Sequence, residues 1–116
     1  MTEGEKSDLP PLADRRPKSR KRVLFGGVVV YGQGAYSCSC KIRDLTTDGA
    51  RILIPAGQPL PAEIYLINLR SQTGHKANVI WHHGTEAGLA FQSTFNLQSL
   101  DDSSLGYLKR IWLAHT

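Results

Sequence analysis

Residues 36 to 43 alternate strictly between apolar and polar side chains. The apolar positions are Tyr36, Cys38, Cys40 and Ile42, and the polar positions are Ser37, Ser39, Lys41 and Arg43. Because successive side chains of a β-strand point to opposite faces, this period of two predicts a strand with one face in the core and one face in water. The run 35–43 is therefore predicted to be a half-buried strand.

Short apolar runs separated by turn residues continue on both sides of this strand. The runs are 23–31, 35–43, 50–54, 64–69, 75–82 and 87–91. Glycine, proline, asparagine and aspartate punctuate them, as in Gly32-Gln-Gly34 and Thr47-Asp48-Gly49, and such residues mark turns. The sequence thus predicts six strands. The run 64–69 is apolar on both faces, so it is either fully covered or lies under another element.

After Phe91 the apolar period changes from two to that of a helix. Leu105, Leu108, Ile111 and Trp112 recur at helical spacing. Ser99, Asp101 and Asp102 precede them and are placed to cap or charge a helix N-terminus, which predicts a helix over about 100–113. Six short strands and one terminal helix indicate an all-β fold: a small six-stranded antiparallel β-barrel with a C-terminal α-helix.

The length of 116 residues suits one compact domain. We expect residues 1–14, polar and bearing Pro10 and Pro11, to be a disordered lead, and residues 15–116 to form the domain. Within it we expect an arginine arm at 15–22, a barrel at 23–92 and the helix at about 100–113. A mean hydropathy of -0.27, no long apolar stretch and no signal-peptide pattern predict a cytoplasmic protein without a membrane span.

Basic residues are concentrated in one short segment. Six of the 14 lysines and arginines lie between Arg15 and Arg22, in a chain of net charge +4. Such a segment implies an anionic partner, and the phosphates of a nucleotide, a nucleic acid or a lipid surface would all fit. The guanidinium groups of Arg16 and Arg20 suit phosphate oxygens and the O6/N7 edge of guanine.

A second signal lies where the half-buried strand ends, at Asp44-Leu-Thr46-Thr-Asp-Gly49. Its carboxylate and hydroxyl can meet the N–H donors of guanine, and its glycine lets backbone approach closely. The same residues also have a purely structural interpretation. Asp44 and Thr46 can stabilise a turn by bonding to local backbone, and Gly49 can supply a positive φ after Asp48.

The two signals together resemble the PilZ domain. Its members sense cyclic di-GMP through an Arg-x-x-x-Arg motif followed by an Asp/Asn-x-Ser-x-x-Gly motif, here 16–20 and 44–49. The resemblance covers about residues 15–92 and includes Val79-Ile-Trp81 and Gly88-Leu89-Ala-Phe91. Thr46 departs from the motif's serine but keeps a hydroxyl. PilZ domains are six-stranded barrels, often with a C-terminal helix, as the periodicity also indicates.

The resemblance implies a ligand site, and its residues follow from the two motifs. They are Arg16, Arg20, Asp44, Thr46 and Gly49, with Arg15 and Arg22 as flanking helpers. The chain would then be a receptor for cyclic di-GMP whose arm docks on binding and which signals to a protein partner. Motility, exopolysaccharide or biofilm control are the implied outputs.

Two other functions stay open on the sequence. The chain could be a PilZ-like scaffold that binds partner proteins but no nucleotide, although it retains Arg16 and Arg20. It could also be a small basic barrel for single-stranded nucleic acid, which requires exposed aromatic rings in a charged groove. We do not expect the latter, because the basic residues lie on an arm and most aromatic residues, Trp81 and Trp112 among them, fall on predicted core faces.

No enzyme chemistry is predicted. The sequence shows no nucleophile with a base and no marked carboxylate pair. His82 and His83 are adjacent and face opposite ways on a strand, so no metal site is expected, and no cofactor is implied. Cys38 and Cys40 are expected to be free thiols, because a bridge between them would strain an extended backbone.

Overall fold

The computed structural model describes residues 21–100 and 103–115, apart from the side chains of residues 21–23 and 103. Its strands are β1 (Lys21–Tyr31), β2 (Tyr36–Leu45), β3 (Gly49–Leu53), β4 (Glu63–Asn68), β5 (Thr73–His83) and β6 (Glu86–Asn96). A 3-10 turn at Ser103–Leu105 leads into helix α1 (Gly106–Ala114). The predicted disordered lead at 1–14, Arg15, Arg16 and Arg20 lie outside the described residues, as do Asp101 and Asp102.

The six strands close into a barrel. Their order around it is β1-β2-β3-β6-β5-β4, every pair is antiparallel, and β1 pairs with β4 to complete the ring. Closure gives each of the six described strands a hydrogen-bonded neighbour on both sides. The predicted fold class, a six-stranded antiparallel barrel with one C-terminal helix, is confirmed.

The barrel interior is filled by alternate residues of all six strands. In β2 the predicted period of two is confirmed from Cys38 onward, because Cys40, Ile42 and Asp44 are buried while Lys41 and Arg43 are exposed. Tyr36, predicted on the inward face, is 59% exposed at the start of the strand. The fully buried members of this inner core include Val29, Ile42, Ile52, Leu66, Ala77 and Ala87. The presence of Asp44 in this series places one carboxylate on the interior face of the sheet, at the end of β2.

A second core lies on the outer surface of the barrel, under α1. Val28, Val30 and Ile67 point outward from β1 and β4 and contact Leu108 and Trp112 of the helix. Both helix residues are buried, which confirms the prediction that Trp112 is a core residue. The helix therefore explains why β1 and β4 are apolar on both faces: the run 64–69 does lie under another element.

The boundaries at the C-terminal end differ from the prediction. β6 extends to Asn96 because Phe95 packs into the outer core, although its polar residues 92–94 hide the strand pattern. α1 begins later than predicted, at Gly106, and its N-cap residue Leu105 makes no side-chain cap. Ser99 is therefore not the cap; its N–H instead donates to the side chain of Asn96 in the preceding turn. Within the described ranges, no helix has the length and apolar character needed to cross a bilayer.

Both cysteines are free thiols, as expected. Cys40 lies in the inner core, and burial raises the pKa of its thiol to about 12. Burial also raises the pKa of the half-buried Cys38 thiol. Because the thiolate is the reactive form of cysteine, the raised pKa values disfavour this form at both positions near neutral pH.

A histidine is buried between β4 and β6. His75 is 7% exposed, and its ring stacks on Phe91 with the centroids 3.9 Å apart and the planes at 9°. Its Nδ1 lies 2.8 Å from Oγ1 of Thr94, within hydrogen-bond distance. Burial disfavours the charged imidazolium and lowers the pKa of His75 to about 4.

This lowered pKa makes the stability of the barrel depend on pH. An unfolded histidine has a pKa of about 6.5. As the pH falls from about 6.5 to about 4, His75 therefore binds a proton in the unfolded state but stays neutral in the folded state. We expect the free energy of unfolding to lose roughly 3 kcal/mol over this window from His75 alone. Urea unfolding of the wild type and of His75→Leu at pH 7 and pH 4 measures it.

The His75→Leu variant should lack this part of the pH dependence, whereas His82→Gln, which alters an exposed histidine, should keep it. An equal loss of stability in the wild type and in His75→Leu would show that His75 is not the responsible group.

Candidate functional site

A cavity of about 360 Å³ opens beside the β2–β3 turn. This volume falls at the lower end of the range of roughly 300–1,000 Å³ typical of small-molecule sites. The wall is formed by Asp44 at the end of β2, by residues 46 and 48–51 of the turn and β3, and by residues 80–81 and 88–90 of β5 and β6. Three predicted site residues, Asp44, Thr46 and Gly49, thus line one cavity.

A register shift in β2 decides where the carboxylate of Asp44 points. Ile42 pairs with Ile52, but Asp44 pairs with Arg51, so Arg43 is an extra residue with no partner on β3. Directly opposed residues of an antiparallel pair project from the same side of the sheet. The irregularity therefore brings the side chains of Asp44 and Arg51 together, where regular pairing would have placed Ala50 opposite Asp44.

Asp44 and Arg51 form a close ion pair. Nε of Arg51 donates to Oδ2 of Asp44 at 2.6 Å, and the side chains are 31% and 4% exposed for Arg51 and Asp44 respectively. Nη1 of Arg51 also lies 3.4 Å from Oε1 of Glu86 on β6. The hydrogen bond to Asp44 raises the pKa of the Arg51 guanidinium, with the charges of Asp44 and Glu86 adding to it. One cation is thus shared by two carboxylates from adjoining strands.

The second oxygen of Asp44 is not satisfied. Oδ1 is buried and has no hydrogen-bond partner among the described residues. Burying a polar atom without a partner is costly, and such atoms in folded proteins are rare enough to call for an explanation. A donor from a ligand, or from a part of the chain outside the described residues, would satisfy this oxygen.

Thr46 serves the turn itself. Its Oγ1 accepts from the N–H groups of Asp48 and Gly49, both at 3.1 Å, and its own N–H donates to the carbonyl of Gly49 at 2.9 Å. The structural interpretation of this hydroxyl is therefore confirmed. Asp44 is different, because its observed partner is Arg51 on the neighbouring strand and not the backbone of the turn.

Gly49 does not have the positive φ that the sequence predicted. It starts β3 in extended backbone and pairs with Ala90 of β6, and a Cβ at this position would overlap the carbonyl oxygen of Leu89. The residue is thus a glycine because two strands approach closely at the wall of the cavity. The prediction was wrong because this contact is between residues far apart in the sequence.

Trp81 lies in the cavity wall and belongs to neither of the two cores. An irregularity in β5 leaves Ile80 without a partner on β6 and places Trp81 opposite Gly88, over whose backbone the indole packs. Trp81 is half-buried, and Ile80 is 63% exposed beside it. The prediction that Trp81 is a core residue was therefore wrong. Trp81 keeps the alternation of Ala77 and Val79, but the irregularity at Ile80 has no local signal in the sequence.

Of the remaining predicted site residues, the structure describes only the backbone of Arg22. Arg22 belongs to β1, and its backbone pairs with that of Asp44 from the side opposite Arg51. Arg15, Arg16 and Arg20 lie outside the described residues. Arg51 was not selected from the sequence; its position after Gly49-Ala50 gives no hint of a partner seven positions earlier in β2.

Comparison with models of known protein families and with curated proteins gives no significant match for this sequence. Within the described ranges, no group of three or more histidine, cysteine or acidic side chains is arranged to hold a metal ion. The site is therefore characterised by its own geometry: a small cavity, a half-satisfied buried carboxylate, a shared arginine and an indole.

The ion pair should respond unequally to removal of either partner. Arg51→Met leaves a buried carboxylate without a cation, whereas Asp44→Asn leaves a guanidinium that water can reach, so we expect Arg51→Met to lower the free energy of unfolding more than Asp44→Asn. Urea unfolding at pH 7 measures both. Lys76→Met, which breaks an exposed pair with Glu63 at 3.8 Å, is the control and should have little effect. Equal effects of Arg51→Met and Lys76→Met would contradict the role of burial.

The close approach at Gly49 predicts a second asymmetry. Gly49→Ala forces β3 and β6 apart and should cost about 1–3 kcal/mol of stability, as overpacked sites do. Gly26→Ala in β1 is the matched control, because its Cβ would meet Cδ1 of Leu69 at an ordinary 3.6 Å. We expect that variant to stay within about 0.5 kcal/mol of the wild type. Denaturant unfolding compares them, and similar losses in both would argue against the contact with Leu89.

Proposed function

We propose that this protein is a PilZ-type receptor for cyclic di-GMP and that the ligand binds at the cavity beside the β2–β3 turn. The observation that carries the proposal is the carboxylate of Asp44 at the cavity, whose buried Oδ1 has no partner among the described residues and whose Oδ2 is held by Arg51. This unsatisfied acceptor supports a ligand that carries an N–H donor, because such a donor can bond to Oδ1 of Asp44.

Guanine suits this pocket on chemical grounds. Its N1–H and N2–H groups are donors on one edge, and an ionised carboxylate only accepts. The indole of Trp81 adds an aromatic surface on which a base can stack. The cavity has room for a base and its nearest atoms, so the rest of a dinucleotide would extend toward the barrel surface.

The two phosphates of the ligand need cations that the cavity lacks. Among the described lining residues Arg51 is the one basic side chain, and it is already shared by Asp44 and Glu86. The basic segment is attached nearby, because Lys21 at the start of β1 pairs with Leu45 and Arg22 pairs with Asp44. Covalent continuity then keeps Arg16 within roughly 18 Å of Lys21, since each residue spans at most about 3.6 Å.

We therefore propose that Arg16 and Arg20 bind the phosphates, with Arg15 and Arg22 as helpers, while Asp44 accepts from a guanine and Thr46 and Gly49 shape the turn against it. Neutralising the like charges of the segment lets it dock on the barrel, which changes the surface offered to a partner protein. Such a protein is a signalling module of the cytoplasm and not an enzyme.

Titration calorimetry with cyclic di-GMP tests the proposal. We expect Arg16→Ala or Arg20→Ala to weaken binding by about 2 kcal/mol or more, because a phosphate loses a charge-assisted hydrogen bond. Arg43→Ala removes the same charge from an exposed position of β2 outside the cavity lining, and it should leave the affinity nearly unchanged.

No heat of binding at millimolar cyclic di-GMP would end the proposal. An equal loss in all three arginine variants would indicate a general charge effect and no defined site. Competition by a single-stranded oligonucleotide with a steep salt dependence would instead favour a nucleic-acid-binding barrel.

A further inference from the structure

The side chain that hydrogen-bonds to the carboxylate of Asp44 belongs to neither motif. Arg51 donates to Oδ2 through Nε at 2.6 Å and lies on β3, beyond the glycine of the second motif. We infer that Arg51 is a positioning residue that sets the base selectivity of the site by fixing the carboxylate of Asp44 as an acceptor for guanine. This inference rests on the proposed function.

Arg51 is held at two points, and this fixes the carboxylate. Nε bonds to Asp44 on one side, and Nη1 reaches Oε1 of Glu86 at 3.4 Å on the other. A planar guanidinium anchored in this way cannot rotate freely. The Asp44 side chain, 4% exposed, therefore keeps Oδ2 engaged, and Oδ1 is its buried oxygen without a hydrogen-bond partner among the described residues.

An acceptor fixed in this way distinguishes the purine bases. Guanine presents two adjacent N–H donors on its Watson–Crick edge. Adenine presents N1, an acceptor, beside its N6 amino group, so the lone pair of N1 would face a carboxylate oxygen. A carboxyl group that can rotate would lose this discrimination. Arg51 prevents the rotation, because its Nε holds one oxygen in a hydrogen bond.

The partial exposure of Arg51 fits this role. At 31% exposure the guanidinium stays in contact with water, while its Nε reaches into the site. Glu86, at 37% exposure, anchors it from β6 without entering the buried part of the pair. The buried charge is thus carried by Asp44, and Arg51 on β3 and Glu86 on β6 hold its side chain in one orientation.

The test measures a selectivity ratio and not affinity alone. Calorimetry with cyclic di-GMP, cyclic di-IMP, which lacks the N2 amino group, and cyclic di-AMP is run on the wild type, Arg51→Gln, Arg51→Lys and Glu86→Ala. We expect the wild type to prefer cyclic di-GMP over cyclic di-AMP and Arg51→Gln to lower this ratio at least tenfold. Most of the change should be weaker binding of cyclic di-GMP. Arg51→Lys should restore part of the ratio, because an ammonium group can still pair with Oδ2.

The control is Lys76→Gln, which alters a cation of an exposed pair outside the cavity lining and should leave the ratio unchanged. Glu86→Ala releases only the outer anchor and should lower the ratio severalfold, so it answers the question even if Arg51→Gln does not fold. A purely structural role of Arg51 would lower the affinity for all three ligands equally.

An unchanged ratio in Arg51→Gln, or in Glu86→Ala if only that variant folds, overturns the inference while leaving the proposed function intact. A wild type that binds none of the three ligands overturns the proposed function as well, so the two failures are distinguishable.

Discussion

The contact between a buried carboxylate and a half-exposed guanidinium organises one end of this barrel. Asp44 occupies an interior position of β2, where neighbouring positions hold Cys40 and Ile42, and an isolated ionised carboxylate would be strongly disfavoured there. Arg51 stabilises the carboxylate at this position because it lies directly opposite on β3 and donates a hydrogen bond to it. That opposition in turn requires the extra residue Arg43. A single irregularity in strand pairing therefore determines where the charge of Arg51 lies and which oxygen of Asp44 it bonds.

The helix imposes a second constraint, on the other side of the molecule. β1 and β4 carry apolar residues on both faces, and without α1 the side chains of Val28, Val30 and Ile67 would form an exposed apolar patch. Leu108 and Trp112 cover them. The outward faces of β1 and β4 thus lie under the helix, whereas β2, β3, β5 and β6 contribute to the cavity wall.

The limits of prediction follow from the range of the interactions involved. The alternation in β2 and the two-sided apolar run 64–69 are local patterns, and both were interpreted correctly because side-chain direction depends on adjacent residues. The resemblance to PilZ domains selected Asp44, Thr46 and Gly49, which do share a cavity wall. The register shifts at Arg43 and Ile80 have no local signature, so the Asp44–Arg51 pair and the position of Trp81 over Gly88 could not be foreseen. The reason predicted for Gly49 was wrong because its constraint also comes from a distant part of the sequence, the carbonyl of Leu89.

The two tryptophans of the chain occupy opposite surroundings. Trp112 is enclosed between α1 and the barrel, whereas Trp81 borders the cavity and is partly open to solvent. Because indole emission shifts with the polarity of its environment, each ring is a native fluorescent reporter, one of helix detachment and the other of events at the cavity mouth. The molecule therefore contains its own pair of optical probes, and replacing either ring by phenylalanine would isolate the signal of the other without any attached dye.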